Sequence, residues 1–171
     1  MKEALRIINQ MQADGMIAKY AIGGAVGATL YLEPAATLDI DIFVRLSEEP
    51  ASLLVSLAPI YDYLKRHGGR PESEHIVIGG WPVQFLPVSN ALEQEALTQA
   101  IQAEVDTVAT WVIGAEHLVA IALQTGRSKD HARILQFLEQ SVIDDEKLKR
   151  ILEAHGLMAK WGKFKARFLN E

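Results

Sequence analysis

Cysteine is absent from this 171-residue chain, which excludes a disulfide framework and thiolate ligation of zinc and makes a reducing cytoplasm the expected compartment. An excess of positive charge is missing too. Lysine and arginine number 17 against 22 acidic residues, a net charge of −5, so the chain is not expected to coat long nucleic acid by bulk electrostatics. Apolar runs are short: the stretch from Val112 to Leu123 is broken by Glu116 and His117, well below the ~20 apolar residues of a membrane-spanning helix. The opening Met1-Lys2-Glu3-Ala4-Leu5-Arg6 reads as an amphipathic helix rather than the apolar core of a secretory leader. His67, His75, His117, His131 and His155 show no H-E-x-x-H or related spacing, so no zinc site is expected from them.

What the chain does contain is core-forming material. Its hydrophobic content of 49% suffices for one domain, or a domain with a helical appendage. Periodicity and breakers predict a helix over 2–14, a strand over 19–23, a helix over 24–32 and a strand over 37–45. Acids before Pro50 start a helix over 50–66 that Gly68-Gly69 closes. Strands at 74–78 and 82–87 join through Gly79-Gly80, and Ser89 or Asn90 caps a helix running to about residue 103. After a strand over 107–113, helices begin near 115, 128, 144 and 157. The predicted class is α/β, or α+β: a small mixed-sheet core over 1–113, flanked by helices, with a helical region over 114–171 packed on it.

Chemistry concentrates in Leu38-Asp39-Ile40-Asp41-Ile42-Phe43-Val44, with Gly23-Gly24 upstream. Side chains at i and i+2 of a strand share a face, with Cα atoms about 6.5 Å apart, so both carboxylates can clasp one cation. Magnesium accepts one or two carboxylates and completes its shell with water and phosphate oxygens. A glycine turn between a strand and a helix bares backbone N–H groups to an anion. Strand, glycine turn, helix and a returning acidic strand therefore set a phosphate cradle beside a metal site. The plainer alternative is an amphipathic strand with Leu38, Ile40, Ile42 and Val44 buried and the aspartates merely solvated.

Gly23-Gly24 followed by Thr37-Leu38-Asp39-Ile40-Asp41 resembles the minimal nucleotidyltransferase fold of the DNA polymerase β superfamily, in its AbiEii-type toxin branch. The segment from Glu116 to Leu123, followed by Gly126-Arg127-Ser128-Lys129-Asp130, is similar to the helix and R-x-K-D stretch found after the core in these proteins. The resemblance implies transfer of a nucleoside monophosphate from an NTP to an acceptor hydroxyl on RNA, protein or a small molecule. Asp39 and Asp41 would bind Mg2+ or Mn2+, Gly23, Gly24 and Thr37 would hold the nucleotide, and Lys129 and Arg127 would reach its phosphates. A toxin of this kind implies a cognate antitoxin partner. The superfamily often adds a third carboxylate from a later strand, where this chain has Gln84, and an arginine where it has Ala35. An amide cannot act as a base at neutral pH and is a poorer cation ligand. Either another group activates the nucleophile, with Asp130 the first candidate, or the protein binds nucleotide or a partner without catalysis.

From Leu157 to Phe168 the chain carries Lys160, Lys163, Lys165 and Arg167 with no acid. Trp161, Phe164 and Phe168 share one helical face, which predicts a terminal helix docked by its aromatics. An RNA or partner contact is the alternative.

Overall fold

Alternation along a single strand, Ile40–Leu46, divides the interior into two cores. The structure, a computed structural model, describes residues 1–33, 39–47 and 56–169. Among these the order is α1 (Lys2–Ala13), β1 (Ile17–Ile22), α2 (Gly24–Ala28), β2 (Ile40–Leu46), α3 (Ala58–Arg66), β3 (Arg70–Glu72), β4 (His75–Ile78), β5 (Trp81–Pro87), α4 (Ala91–Thr98), β6 (Ile101–Val105) and β7 (Val108–Val112). Four helices follow: α5 (Ala115–Thr125), α6 (Ser128–Glu139), α7 (Asp145–Ala154) and α8 (Met158–Phe168).

The seven strands form one mixed sheet in the order β3-β4-β5-β2-β1-β7-β6. β2 lies at its centre, antiparallel to β1 and parallel to β5. Ile40, Ile42 and Val44 point to a core shared with Leu5, Ile8 and Met11 of α1 and Ile60 and Leu64 of α3. Each fully buried aliphatic side chain there contributes roughly 1.5–3 kcal/mol. Phe43 points the other way and joins Ala21 in a core built from α4 to α8. Both faces of β2 are thus covered, which explains its nearly unbroken apolar sequence. Of the polar residues that alternation sends to the Phe43 side, Asp39 and Asp41 are half-buried and Arg45 is exposed.

Two edge strands depart from the prediction. The helix expected to run to residue 103 stops at Thr98, and Ile101–Val105 pairs antiparallel with β7. Its alternating exposed side chains include Gln102 and Glu104, which favour helix locally, and cross-strand pairing overrides that preference. Asp106 and Thr107 close the hairpin with φ of 50° and 64°, a primed turn made without the usual glycine. β3 escaped detection because Arg70–Glu72 is short, exposed and contains Pro71, a residue tolerated at a sheet edge. α2 spans only Gly24–Ala28, with turns to Leu32. α3 begins at Ala58 with Pro59 in its first turn; Pro50 lies outside the described residues. Gly79 and Gly80, at φ of 55° and 80°, make the two-residue turn between β4 and β5.

Candidate active site

The side of β2 that carries Phe43 also carries Asp39 and Asp41, by the same alternation. Asp41 stands in register with Gln84 on the parallel strand β5, so the amide occupies the neighbouring position on that face. These three residues, with Gly24, line a cavity of about 360 Å³. Its far wall comes from the start of α6, as Arg127, Lys129, Asp130 and Arg133, and α4 adds Glu93.

Gly24 is required by contact as well as by backbone. Its φ is +57°, and a Cβ there would lie 1.8 Å from Asp41 Oδ2, so only glycine lets the turn sit against the carboxylate. Gly23 occupies a different place from the expected one. It is buried, its N–H donates to the Asp41 carbonyl at 2.9 Å, and a Cβ would strike the Phe43 ring at 2.5 Å. It therefore closes the β1–β2 pair behind the cavity and leaves the lining to Gly24. Thr37 and Ala35 lie outside the described residues.

Asp130 is 1% exposed and held tightly. Its Oδ2 accepts from Arg127 Nε at 2.7 Å and from the Arg127 backbone N–H at 3.2 Å, while Oδ1 accepts from Arg127 Nη2 at 3.2 Å. Arg133 Nη1 approaches Oδ1 at 3.8 Å. The two-pronged Arg127 contact closes a capping box at the start of α6 and fixes the guanidinium at the cavity mouth. Hydrogen bonding to Asp130 strengthens the hold of Arg127 on its proton. Both oxygens of Asp130 are thus engaged by Arg127.

The aspartates are under electrostatic load. Burial pushes the Asp41 carboxyl above its ordinary range and Asp39 adds to that; Arg133, Lys129 and Arg127 pull downward without cancelling it. His75 Nε2 stands 3.4 Å from Asp39 Oδ2 and is buried with no hydrogen-bond partner among the described residues. A buried carboxylate beside a second one suits a hard divalent cation, which binds one or two carboxylates and takes its remaining ligands from water and phosphate. No group of three His, Asp or Glu side chains arranged to hold a metal occurs among the described residues.

Two lining residues, Glu93 and Arg133, lie outside the motifs legible in the sequence, and so does His75, which meets Asp39 without lining the cavity. Glu93 Oε2 accepts from the Ser89 N–H at 2.7 Å and from Ser89 Oγ at 2.9 Å. Arg133 is four residues beyond Lys129, on the same helical face, and that spacing was readable. His75 was discounted for lack of a metal motif and reaches Asp39 only through the β4–β5 hairpin. Elsewhere Glu116 serves structure: it accepts from Lys147 Nζ at 2.8 Å and from the Asp144 N–H at 3.1 Å.

No protein-family model and no curated protein sequence matches the chain. Solved structures do. The antibiotic-resistance factor ANT(2'')-Ia in solution aligns over 99% of this chain and 98% of its own, with a TM-score of 0.53 and 14% identity. The crystal structure of ANT(2'')-Ia in complex with adenylyl-2''-tobramycin aligns over 95% and 94%, with a TM-score of 0.52 and 15% identity. An antigenic nucleotidyltransferase-like protein from Paracoccidioides brasiliensis aligns over 95% and 89%, with a TM-score of 0.51 and 12% identity. The architecture is that of a nucleotidyltransferase-like fold.

Proposed function

We propose that the chain is a magnesium- or manganese-dependent nucleotidyltransferase that joins an NMP from an NTP to an acceptor hydroxyl. The supporting observation is convergence: Asp39 and Asp41 on one wall of the cavity and Arg127, Lys129 and Arg133 on the other. Its volume of about 360 Å³ falls in the ordinary range for ligand pockets. A fold neighbour captured with adenylyl-2''-tobramycin supports the reaction class.

Asp39 and Asp41 would hold the metal, which when bound offsets triphosphate charge and polarises the phosphoryl oxygens. Lys129 and Arg133 face the phosphates, and Asp130 keeps Arg127 aimed at them. Catalysis of this kind rests on positioning and charge stabilisation. The acceptor oxygen bonds to the α-phosphorus, the bond from that phosphorus to the bridging oxygen breaks, and pyrophosphate leaves. The acceptor proton needs a base that Gln84 cannot be. Glu93 fills that role: Ser89 fixes one carboxylate oxygen and the other receives no hydrogen bond from a described residue.

Transfer of α-labelled phosphate from an NTP, with magnesium titrated and several hydroxyl acceptors supplied, tests the proposal. Asp39→Asn and Asp41→Asn should each abolish metal-dependent nucleotide binding while the fold is retained; binding undiminished in both would reject it. Gln84 beside Asp41 favours one second reading, a domain that binds nucleotide without turning it over. Saturable magnesium-dependent binding with no incorporation into any acceptor would establish it. Placement in the AbiEii-type branch, with a cognate antitoxin, is the finer form of the proposal. Growth arrest on expression that a neighbouring gene product relieves would support it, and growth unaffected by expression of active protein would count against it.

A further inference from the structure

The turn between α5 and α6 is shared by two hollows. Thr125 and Arg127 line the cavity described above, while Gly126 between them lines a second hollow of about 220 Å³ against α8. Lys160, Lys163, Arg167 and His131 line this second hollow and no acid does, in a chain whose net charge is −5. Phe164 and Phe168 form its floor, with ring centroids 4.9 Å apart, and His131 lies 5.7 and 5.2 Å from them. Phe164 is buried in the core whereas Phe168 is half-buried, so α8 is docked by one ring and offers part of the other. Lys163 and Arg167, four residues apart on the same face, are both exposed. Arg167 also lies over the Phe168 ring, 5.1 Å from its centroid.

Cations flanking an aromatic platform match single-stranded nucleic acid, whose phosphates meet the positive groups and whose bases stack. A duplex would require a longer array of cations than one helix face provides, and an acidic peptide would leave the aromatic floor without a stacking partner. We infer that this groove docks a single-stranded nucleic acid whose terminal hydroxyl reaches the adjoining cavity as the acceptor. The acceptor assignment rests on the transfer reading above; the docking assignment does not.

Fluorescence anisotropy with a labelled single-stranded oligoribonucleotide tests this directly. Three phosphates neutralised at roughly −0.7 each give a slope of about −2 for log K against log salt. Lys163→Glu combined with Arg167→Glu should weaken binding about tenfold or more, and Phe168→Ala by about tenfold from lost stacking. Unchanged circular dichroism confirms that the variants are folded. Asp41→Asn should leave oligonucleotide affinity intact while losing NTP binding. Three results would overturn the inference: charge-reversed protein that binds like wild type, polyphosphate that competes equally while Phe168→Ala has no effect, or an acidic peptide that binds more tightly than the oligonucleotide. Wild-type protein that binds magnesium and NTP but no oligonucleotide sinks this inference and leaves the transfer reading standing. Oligonucleotide binding lost in the α8 variants, without any NTP binding, keeps the docking groove and sinks the transfer reading.

Discussion

Asp41 carries a charge that its surroundings disfavour. Burial and Asp39 raise its pKa, so the ionised side chain costs stability at every pH above the folded-state value, and that cost is relieved by protonation or by a bound cation. Asp41→Asn should therefore raise the melting temperature of the metal-free protein at neutral pH and erase the further rise produced by magnesium with NTP. Scanning fluorimetry checks both, and a variant less stable than wild type would contradict the assigned cost of the buried charge. Glu93 is the second residue to probe. Replacing it with Gln removes the base but keeps the donors of Ser89 supplied with an acceptor, so transfer should slow by about 10²-fold or more with KM for NTP little changed. The meeting of Asp39, Asp41, Gly24 and Lys129 at one cavity was legible in the sequence because each belongs to a short motif. Glu93 and His75 were not, since neither has a neighbour in sequence that betrays it.

Helices meet at a second polar cluster, built on Glu95, His117 and His155. Glu95 on α4 accepts from His117 on α5 at 3.1 Å and from His155 at the end of α7 at 2.8 Å. His117 is 1% exposed, and burial depresses its pKa below the ordinary 6.5 more than Glu95 raises it, with Lys147 adding to the depression and Glu116 opposing it. Burial acts against the Glu95 charge, yet hydrogen bonds from both histidines hold its carboxyl below the ordinary 4.5. Both depressed values act in one direction. The unfolded chain binds protons that the folded chain refuses, so stability falls as pH drops below about 6.5 and falls further as Glu95 titrates. His117→Gln should flatten the melting-temperature profile between about pH 7 and pH 5, and an unaltered slope would show that these helices are not the acid-labile joint. At this scale the sequence marked the starts of α5 to α8 within a residue or so, because caps and glycines punctuate them. β3 and β6 were invisible, since an edge strand is defined by the neighbour it pairs with.

For the whole molecule, one face of the sheet and the C-terminal helices share a core. Phe137 of α6 is fully buried in the cluster that includes Ala21 of β1 and Phe43 of β2. If residues 114–171 are an inseparable part of one domain, Phe137→Ala should cost roughly 3–5 kcal/mol and lower a single unfolding transition seen alike by far-UV and tryptophan signals. Two resolved transitions would instead show that the helices melt apart from the sheet. No described helix is long and apolar enough to cross a membrane.

The sequence by itself determined what is local: the alternation that sends Asp39 and Asp41 to one face, the glycine that only a close approach requires, and the punctuation of the last four helices. Tertiary structure alone decided which groups meet. Pairing of β2 with β5 set Gln84 beside Asp41, the fold of α6 across the sheet brought arginine and lysine to the aspartates, and α4 carried Glu93 to the same wall. Backbone geometry fixes a side chain's direction within a few residues, whereas convergence and the burial that shifts Asp41 depend on contacts between segments dozens of residues apart.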